Sequence, residues 1–361
     1  MKNILKYALV LLTAFSFSVA NAGELKVTGT AKASYVIVSS NSASSKQEAP
    51  KSLGVANEFN LGAGGELDNG MTWGYNINID TDTTQDDGGL WLNTSYGKFA
   101  INISQGGLEL SKAAALSATG SRGSDSGVAE DMFEEWSIGD GNNIAYSLPA
   151  GILPFGIAAS VAYAPTTTAD ANQSVNDLTA ANTGAITAPN NSGAVYTSGS
   201  IANAGRTMTQ YQVTAAPVDG LSIGASYESF GGATGDTGQK AEGGSWYAKY
   251  AIGNAQFAYG RSYVALPNAS TANVYEAVLG TKYSALVAVN DNLSVSYGVE
   301  QSTATHMLNT TADVEQEVTQ VAAAYTMGGL TLAVSLNSYD NVSYEANKDI
   351  TSAVFNVSMA F

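Results

Sequence analysis

Met71-Thr72-Trp73-Gly74-Tyr75-Asn76-Ile77-Asn78-Ile79-Asp80 puts an apolar side chain at every second position and a polar or small one between. Successive side chains of a strand point to opposite faces, so this stretch has one apolar wall and one polar wall. The same period recurs outward along the chain. Phe59, Leu61, Ala63, Gly65 and Leu67 alternate with Glu58, Asn60, Gly62, Gly64 and Glu66. Leu25, Val27, Ala31, Ala33, Tyr35 and Ile37 alternate with Lys26, Thr28, Thr30, Lys32, Ser34 and Val36. No stretch of comparable length shows the 3.6 period of a helix. The chain reads as all-β.

The connections alternate in length. Short turns fall at 68–70, 96–98, 149–154, 217–220, 253–255, 290–292 and 328–329. Their Asn-Gly, Gly-Gly and Asp-Asn pairs supply the positive φ that tight hairpins need. Longer loops fall at about 39–53, 81–89, 105–141, 165–206, 230–244, 266–274, 301–314 and 340–348. Seven turns and eight loops join sixteen strands. An even count, with short turns at one end and long loops at the other, describes a transmembrane antiparallel β-barrel whose turns are periplasmic and whose loops are extracellular. Pro50, Pro149, Pro154, Pro165, Pro189, Pro217 and Pro267 all fall in these connections, where a missing N–H costs no ladder bond. Tyr96 and Phe99, Tyr250 and Phe257, and Phe155 and Phe361 collect at the short-turn end. Phe155 and Tyr163 share a face and are separated by roughly 19 Å along the membrane normal, as two aromatic girdles would be.

The N-terminus sets the compartment. Lys2 and Lys6 precede an apolar run from Tyr7 to Val19, and Ala20-Asn21-Ala22 follows it. This is the three-part pattern of a secretory signal, with cleavage expected after Ala22 and a mature chain of 23–361. A run of about 13 residues is too short to span a hydrocarbon core of about 30 Å. All 31 acidic residues and 13 of the 15 basic ones lie beyond Ala22, a formal charge of −18. Such a chain has no electrostatic reason to bind nucleic acid. There is no cysteine, hence no disulfide framework. No later stretch approaches 18 consecutive apolar residues, so helical spans are excluded.

With the strands placed, the mature chain resembles the general diffusion porins of Gram-negative bacteria. The hairpin Tyr96-Gly97-Lys98-Phe99-Ala100-Ile101, the strand Asn143-Ile144-Ala145-Tyr146-Ser147 and the terminal Asn356-Val357-Ser358-Met359-Ala360-Phe361 carry the resemblance, together with the signal peptide. It implies a sixteen-stranded homotrimeric channel in the outer membrane, exported by the Sec pathway. It also implies that Phe361 closes the signal read by the barrel assembly machinery, and that the third loop, about 104–141, folds into the pore. That loop is acidic: Glu109, Asp125, Glu130, Asp131, Glu134, Glu135 and Asp140 stand against Lys112 and Arg122. Met132, Phe133, Trp136 and Ile138 are interleaved with the acids, and apolar loop residues need a wall to pack on. The inward phase of the strands offers Lys26, Lys32, Lys249 and Lys282, with Glu58, Glu66, Glu228, Glu276 and Glu300. The chain departs from the family in lacking a Pro-Glu-Phe-Gly-Gly loop tip and an arginine ladder, since Arg122, Arg206 and Arg261 are its only arginines. A strong transverse field is not expected. Arg261 shares the phase of Phe257 and Tyr259, which aims it at lipid, where a midplane arginine costs about 2–4 kcal/mol. A bulge, a subunit interface or a phase error would each resolve that conflict.

Little points to an enzyme. The single histidine, His306, lies in a predicted loop, and no G-x-S-x-G nucleophile motif exists. Asp80, Asp82, Asp86 and Asp87 are a weak Ca²⁺ candidate, since hard oxygen ligands cluster there without the glycine and glutamate of an EF-hand. No cofactor is otherwise expected. Strands begin next to the cleavage site, which leaves no room for a plug domain. Two functions follow: a passive, cation-preferring channel for ions and small hydrophilic solutes, or a surface barrel acting as adhesin or structural protein through its loop at 165–206.

Overall fold

A computed structural model describes residues 25–40, 51–80, 87–125, 132, 134–140, 142–165, 207–231, 241–265, 275–306 and 312–361. The signal segment 1–22, Asp82, Asp86, Glu130, Asp131, Phe133, Arg206 and the loop at 166–206 lie outside the described residues, as do the side chains of Glu58, Asp80, Asp140 and His306.

Sixteen strands follow in order. They are β1 (Lys26–Ser40), β2 (Lys51–Glu66), β3 (Thr72–Asp80), β4 (Gly88–Thr94), β5 (Gly97–Ile103), β6 (Asn143–Ser147), β7 (Ala158–Ala164) and β8 (Thr207–Val218). Then come β9 (Leu221–Gly231), β10 (Glu242–Ile252), β11 (Ala255–Ala265), β12 (Tyr275–Ala288), β13 (Leu293–His306), β14 (Val314–Met327), β15 (Leu330–Asp340) and β16 (Ile350–Ala360). Each strand pairs with its sequence neighbours, and β16 pairs with β1, so the sheet closes into a barrel. Closure removes the unpaired edge that a nonpolar surrounding would penalise. The seam runs in antiparallel register from Thr30 opposite Ala360 to Ser40 opposite Ile350. Beyond the strand end, Gly29 and Phe361 exchange both backbone hydrogen bonds, at 2.9 and 3.0 Å. The terminal residue therefore belongs to the ladder.

Alternation sorts the side chains as the sequence predicts. Phe257, Tyr259, Tyr283, Tyr297, Val321, Leu336 and Phe355 are exposed on the outer wall, while Ser262, Ser284, Ser296, Gln320, Asn337 and Asn356 are buried inside. At the short-turn end Phe59 and Phe361 meet edge to face, 5.7 Å between centroids, and Phe99 meets Tyr146 at 4.9 Å. The Tyr146 hydroxyl donates to Tyr96 O at 2.6 Å across the 95–96 turn. Gly97 there has φ 132°, and a Cβ at that position would overlap Ser147 O, so only glycine fits.

Four sequence expectations need adjustment. Phe155 lies in a 3-10 turn, Pro154–Gly156, ahead of β7 and not on the strand with Tyr163, so strand rise does not set their separation. Pro217 lies inside β8 and not in the following turn; the register between β8 and β9 shifts between Ala215 and Val218, which takes its nitrogen out of the ladder. His306 closes β13 instead of lying in a loop. Strand β2 begins at Lys51, so Leu53 and Val55 extend its apolar row, where a loop was expected up to 53. Arg261 does face outward. It pairs in unbroken register with Trp246 on β10 and Thr281 on β12, so neither a bulge nor a phase error explains it.

Candidate functional site

The third loop leaves β5 at Ile103 and returns at β6, and its described residues lie against inward-facing side chains. A loop that turns into a barrel must satisfy its own backbone, and here the wall does so. Leu108 N donates to Gln210 Oε1 at 2.9 Å, and Gln212 Nε2 returns a bond to Leu108 O at 3.0 Å. Further along, Leu110 N reaches Ser226 Oγ at 3.2 Å, Leu116 N reaches Ser284 Oγ at 2.9 Å and Ala118 N reaches Ser296 Oγ at 2.8 Å. The far end is held by Gln320 Nε2 on Ser121 O at 3.2 Å and by Tyr339 OH on Gly123 O at 2.9 Å. The loop thus crosses the lumen side of β8 through β15.

Apolar residues pin it as well. Trp136, Ile138 and Met132 are 2 %, 1 % and 4 % exposed. Trp136 stacks edge-on against Phe230 of β9 at 5.0 Å. Met132 joins Val318, Tyr339 and Val342 in a second cluster. The interleaved apolar residues of the acidic loop are therefore wall contacts.

At the centre is a buried ionic group. Arg122 Nη1 lies 2.6 Å from Glu134 Oε1 and 2.9 Å from Glu300 Oε2, and Arg122 Nε lies 2.7 Å from Asp125 Oδ2. Lys282 pairs with Glu134 and lies 3.5 Å from Glu300 Oε2. Ser124 gives Glu300 two more hydrogen bonds, from its amide at 3.1 Å and its hydroxyl at 2.9 Å. Three carboxylates face two cations, leaving one excess negative charge. Burial by itself would lower the Arg122 pKa, but Glu134, Asp125 and Glu300 outweigh it and raise it. Burial also opposes ionisation of Asp125, yet the Arg122 hydrogen bonds and charge hold its carboxyl below the usual range. Buried charges of this kind contribute little net stability against an apolar replacement, but losing one partner is costly, which favours one loop position over others.

Of the acids expected to shape the constriction, four are described with their side chains, and all four are engaged in hydrogen bonds or ion pairs of the loop. Glu134 belongs to the ionic group. Glu135 accepts the amides of Leu110 and Ser111 at 3.1 and 3.0 Å and the hydroxyl of Ser226. Glu109 accepts Ser137 Oγ at 2.9 Å, and burial pushes its carboxyl above the usual range. Asp125 alone of the four is exposed, with 38 % of its side chain accessible. Asp140 lies in a 3-10 turn, Ile138–Asp140.

On the wall, Lys282 and Glu300 join the loop, and Glu228 accepts Trp136 N at 3.3 Å. Lys249 rests on the Tyr247 ring, 4.8 Å from its centroid. Lys26, Lys32 and Glu66 lie on β1 and β2, and Lys32 lines a recess beside the ionic group with Ser34, Asn356, Ser121, Arg122 and Asp125. Glu276 sits at the register shift between Tyr275 and Ala277 and is exposed. Among the described residues no three His, Cys, Asp or Glu side chains converge as a metal site. Of the Ca²⁺ candidates only Asp87 is fully described, and its carbonyl accepts Asn78 N at 2.8 Å.

A closed ring of sixteen strands with its third loop packed inside matches solved structures along nearly its whole length. OmpF of Salmonella typhi, solved with daunomycin, superposes with TM-score 0.62 at 13 % identity, over 94 % of this chain and 98 % of that one. The fold is that of the general porins. An anion-selective porin from Comamonas acidovorans gives TM-score 0.65 at 12 % identity over 94 % of this chain and all of its own. OmpT, an outer membrane protein of Vibrio cholerae, gives 0.61 at 11 % over 95 % and 100 %. No family description and no curated protein sequence matches the chain. The porin fold therefore persists here at 11–13 % identity.

The sequence did not single out the anchors of the loop. Gln210, Ser226, Ser284, Ser296, Gln320 and Tyr339 occupy alternate strand positions like many other polar residues of the chain. Their common signal is that they lie on β8–β15, and nothing local tells an anchor from a water-facing residue. Trp91 was also missed. Leu90 faces outward, which turns Trp91 into the lumen against the rule of polar-inside.

Proposed function

We propose that this chain is an outer-membrane channel for passive diffusion of ions and small hydrophilic solutes, and that it prefers cations. The observation that carries this reading is the asymmetry of the interior. The loop is fastened to β8–β15, while on the wall of β2–β5 Glu66, Asn93 and Lys98 remain exposed to water inside a barrel whose outer face is apolar. An apolar exterior around a polar, wet interior is what a pore in a bilayer requires.

Cation preference is supported by the excess carboxylate of the ionic group and by a chain charge of −18 beyond Ala22. Confined carboxylates concentrate cations, and salt screens them over about 10 Å at 0.1 M. With Glu134 and Glu135 bound to the loop and wall, Asp125, Glu130 and Asp131 are the acids to test. In planar bilayers under a KCl gradient, the wild type is expected to show a cation-selective reversal potential. Changing those three to Asn or Gln moves it toward zero. A wild type that does not conduct overturns the channel reading, and an anion-selective one overturns the preference. Export with removal of 1–22, trimeric assembly and recognition of the last strand by the assembly machinery belong to the same proposal. Deletion of Phe361, which removes its ladder bonds to Gly29, is expected to lower the yield of folded trimer on gels.

A further inference from the structure

The lumen wall of β3–β5 holds an aromatic surface that the channel reading does not use. Trp91 on β4 pairs with Gly74 on β3, which in turn pairs with Gly64 on β2. A Cβ on Gly74 would overlap the Trp91 ring, so the indole lies over bare backbone and the glycine is what permits it. Trp91 is half-buried on the inward face of β4. Lys98 Nζ stands over its ring, 5.2 Å from the centroid. Lys98 and Asn93 are opposite each other in register and both exposed. The Asn93 amide donates to Thr72 Oγ1 at 3.4 Å, a long bond on an exposed residue.

The position along the pore is defined. Asn76 and Gln105 exchange amide contacts at 3.3 and 3.4 Å where the third loop leaves the wall, next to Gly89. Trp91 is the next inward residue of β4 toward the 95–96 turn. The ring therefore sits just past the root of the loop, on the short-turn side.

We propose that Trp91 and Lys98 form a subsite for acidic sugars, a reading that rests on the chain being a channel. A pyranose presents a face of weakly positive C–H groups, which the negative face of an indole attracts. Lys98, exposed and flexible, moves from the ring face to its edge and pairs with the sugar carboxylate. Asn93 accepts from a hydroxyl. Glu66 lies in the same row, beyond Thr72 and Asn93, and its charge directs the carboxylate toward Lys98. A neutral sugar would use the ring without the lysine, and an aliphatic acid the lysine without the ring.

The test is block of single-channel current by an α-1,4-linked dimer of galacturonate, with maltose as the neutral control. The wild type is expected to show saturable block by the uronate at concentrations where maltose blocks weakly. Trp91→Ala raises the half-blocking concentration about tenfold for the uronate and abolishes the maltose effect. Trp91→Phe retains part of both. Lys98→Gln brings the uronate to the level of maltose and leaves maltose unchanged. Equal block of wild type and Trp91→Ala, or equal block by the two sugars in the wild type, overturns the subsite. Open-channel conductance in the same recordings separates the two readings: without it the channel fails, whereas conductance without block removes only the subsite.

Discussion

The two halves of the inner wall use the same alternation for opposite ends. On β8–β15 buried inward side chains serve as hydrogen-bond and ionic partners for the third loop: Gln210, Glu228 and Glu300 are each no more than 2 % exposed. On β2–β5 the inward row is glycine, asparagine and one tryptophan, with Glu66, Asn93 and Lys98 open to water. One half is a socket, and the other stays open to water. A polar strand face inside a barrel is therefore not by itself a pore lining; what it becomes depends on whether backbone from elsewhere arrives to use it. The difference also redistributes charge, because acids drawn into the socket are spent on binding the loop.

The sharpest way to break this comparison is to remove a charge from the socket. Lys282→Met leaves Glu134 and Glu300 buried against Arg122 alone, and loss of one partner in such a group costs about 3–5 kcal/mol. The docked loop is expected to loosen, giving a noisier and larger single-channel conductance and a lower thermal unfolding temperature. A quiet, unchanged channel would mean that the ionic group does not set the loop position.

A smaller loss is expected at Ser284→Ala. That hydroxyl accepts Leu116 N and donates to Ala114 O, so two buried backbone groups lose their partner at about 1–3 kcal/mol. Hydrogen exchange of the Leu116 amide, compared between variant and wild type, checks it. On the open wall, Asn93→Ala serves as the matched control, with no measurable change in loop protection.

Acid provides the third test, and the two perturbed loop carboxyls respond oppositely. The Asp125 pKa is depressed below 3.8, so its contribution to docking is present above that value and is lost as pH falls through the lower folded one. Glu109 is raised above 4.5, so its contribution is present below that value and is lost as pH rises through the folded one. Channel noise is expected to increase as pH drops below about 4, and Asp125→Asn should abolish that step. Glu109→Gln, in contrast, is expected to quiet the channel at neutral pH. If both substitutions acted in the same direction, the assignment of these groups would be wrong.

The smallest stability effect belongs to the open wall. Gly74→Ala pushes aside the ring of Trp91, a half-buried side chain and not backbone, so unfolding should shift little while sugar block weakens. A large loss of stability there would mean that the indole is packed structure and not a water-facing surface.

Much of this molecule was legible in the sequence for a local reason. A strand with one apolar and one polar face writes a period of two, and a tight hairpin demands its own residues, so strand count, connection order and the facing of Arg261 followed from neighbours a few positions apart. Met132, Trp136 and Ile138 were readable as wall contacts because apolar groups in an acidic loop have to be buried somewhere. What the sequence did not contain was the partner of each polar group. Arg122 meets Glu300 across 178 positions and Ser121 meets Gln320 across 199, distances that no spacing rule spans. Whether an inward serine faced water or a loop amide, whether Glu134 lent its charge to the pore or to Lys282, and whether Trp91 found bare glycine beneath it were decided only when the closed barrel fixed which strands the loop would cross. The periodicity determined the two faces; closure in three dimensions decided what each face would meet.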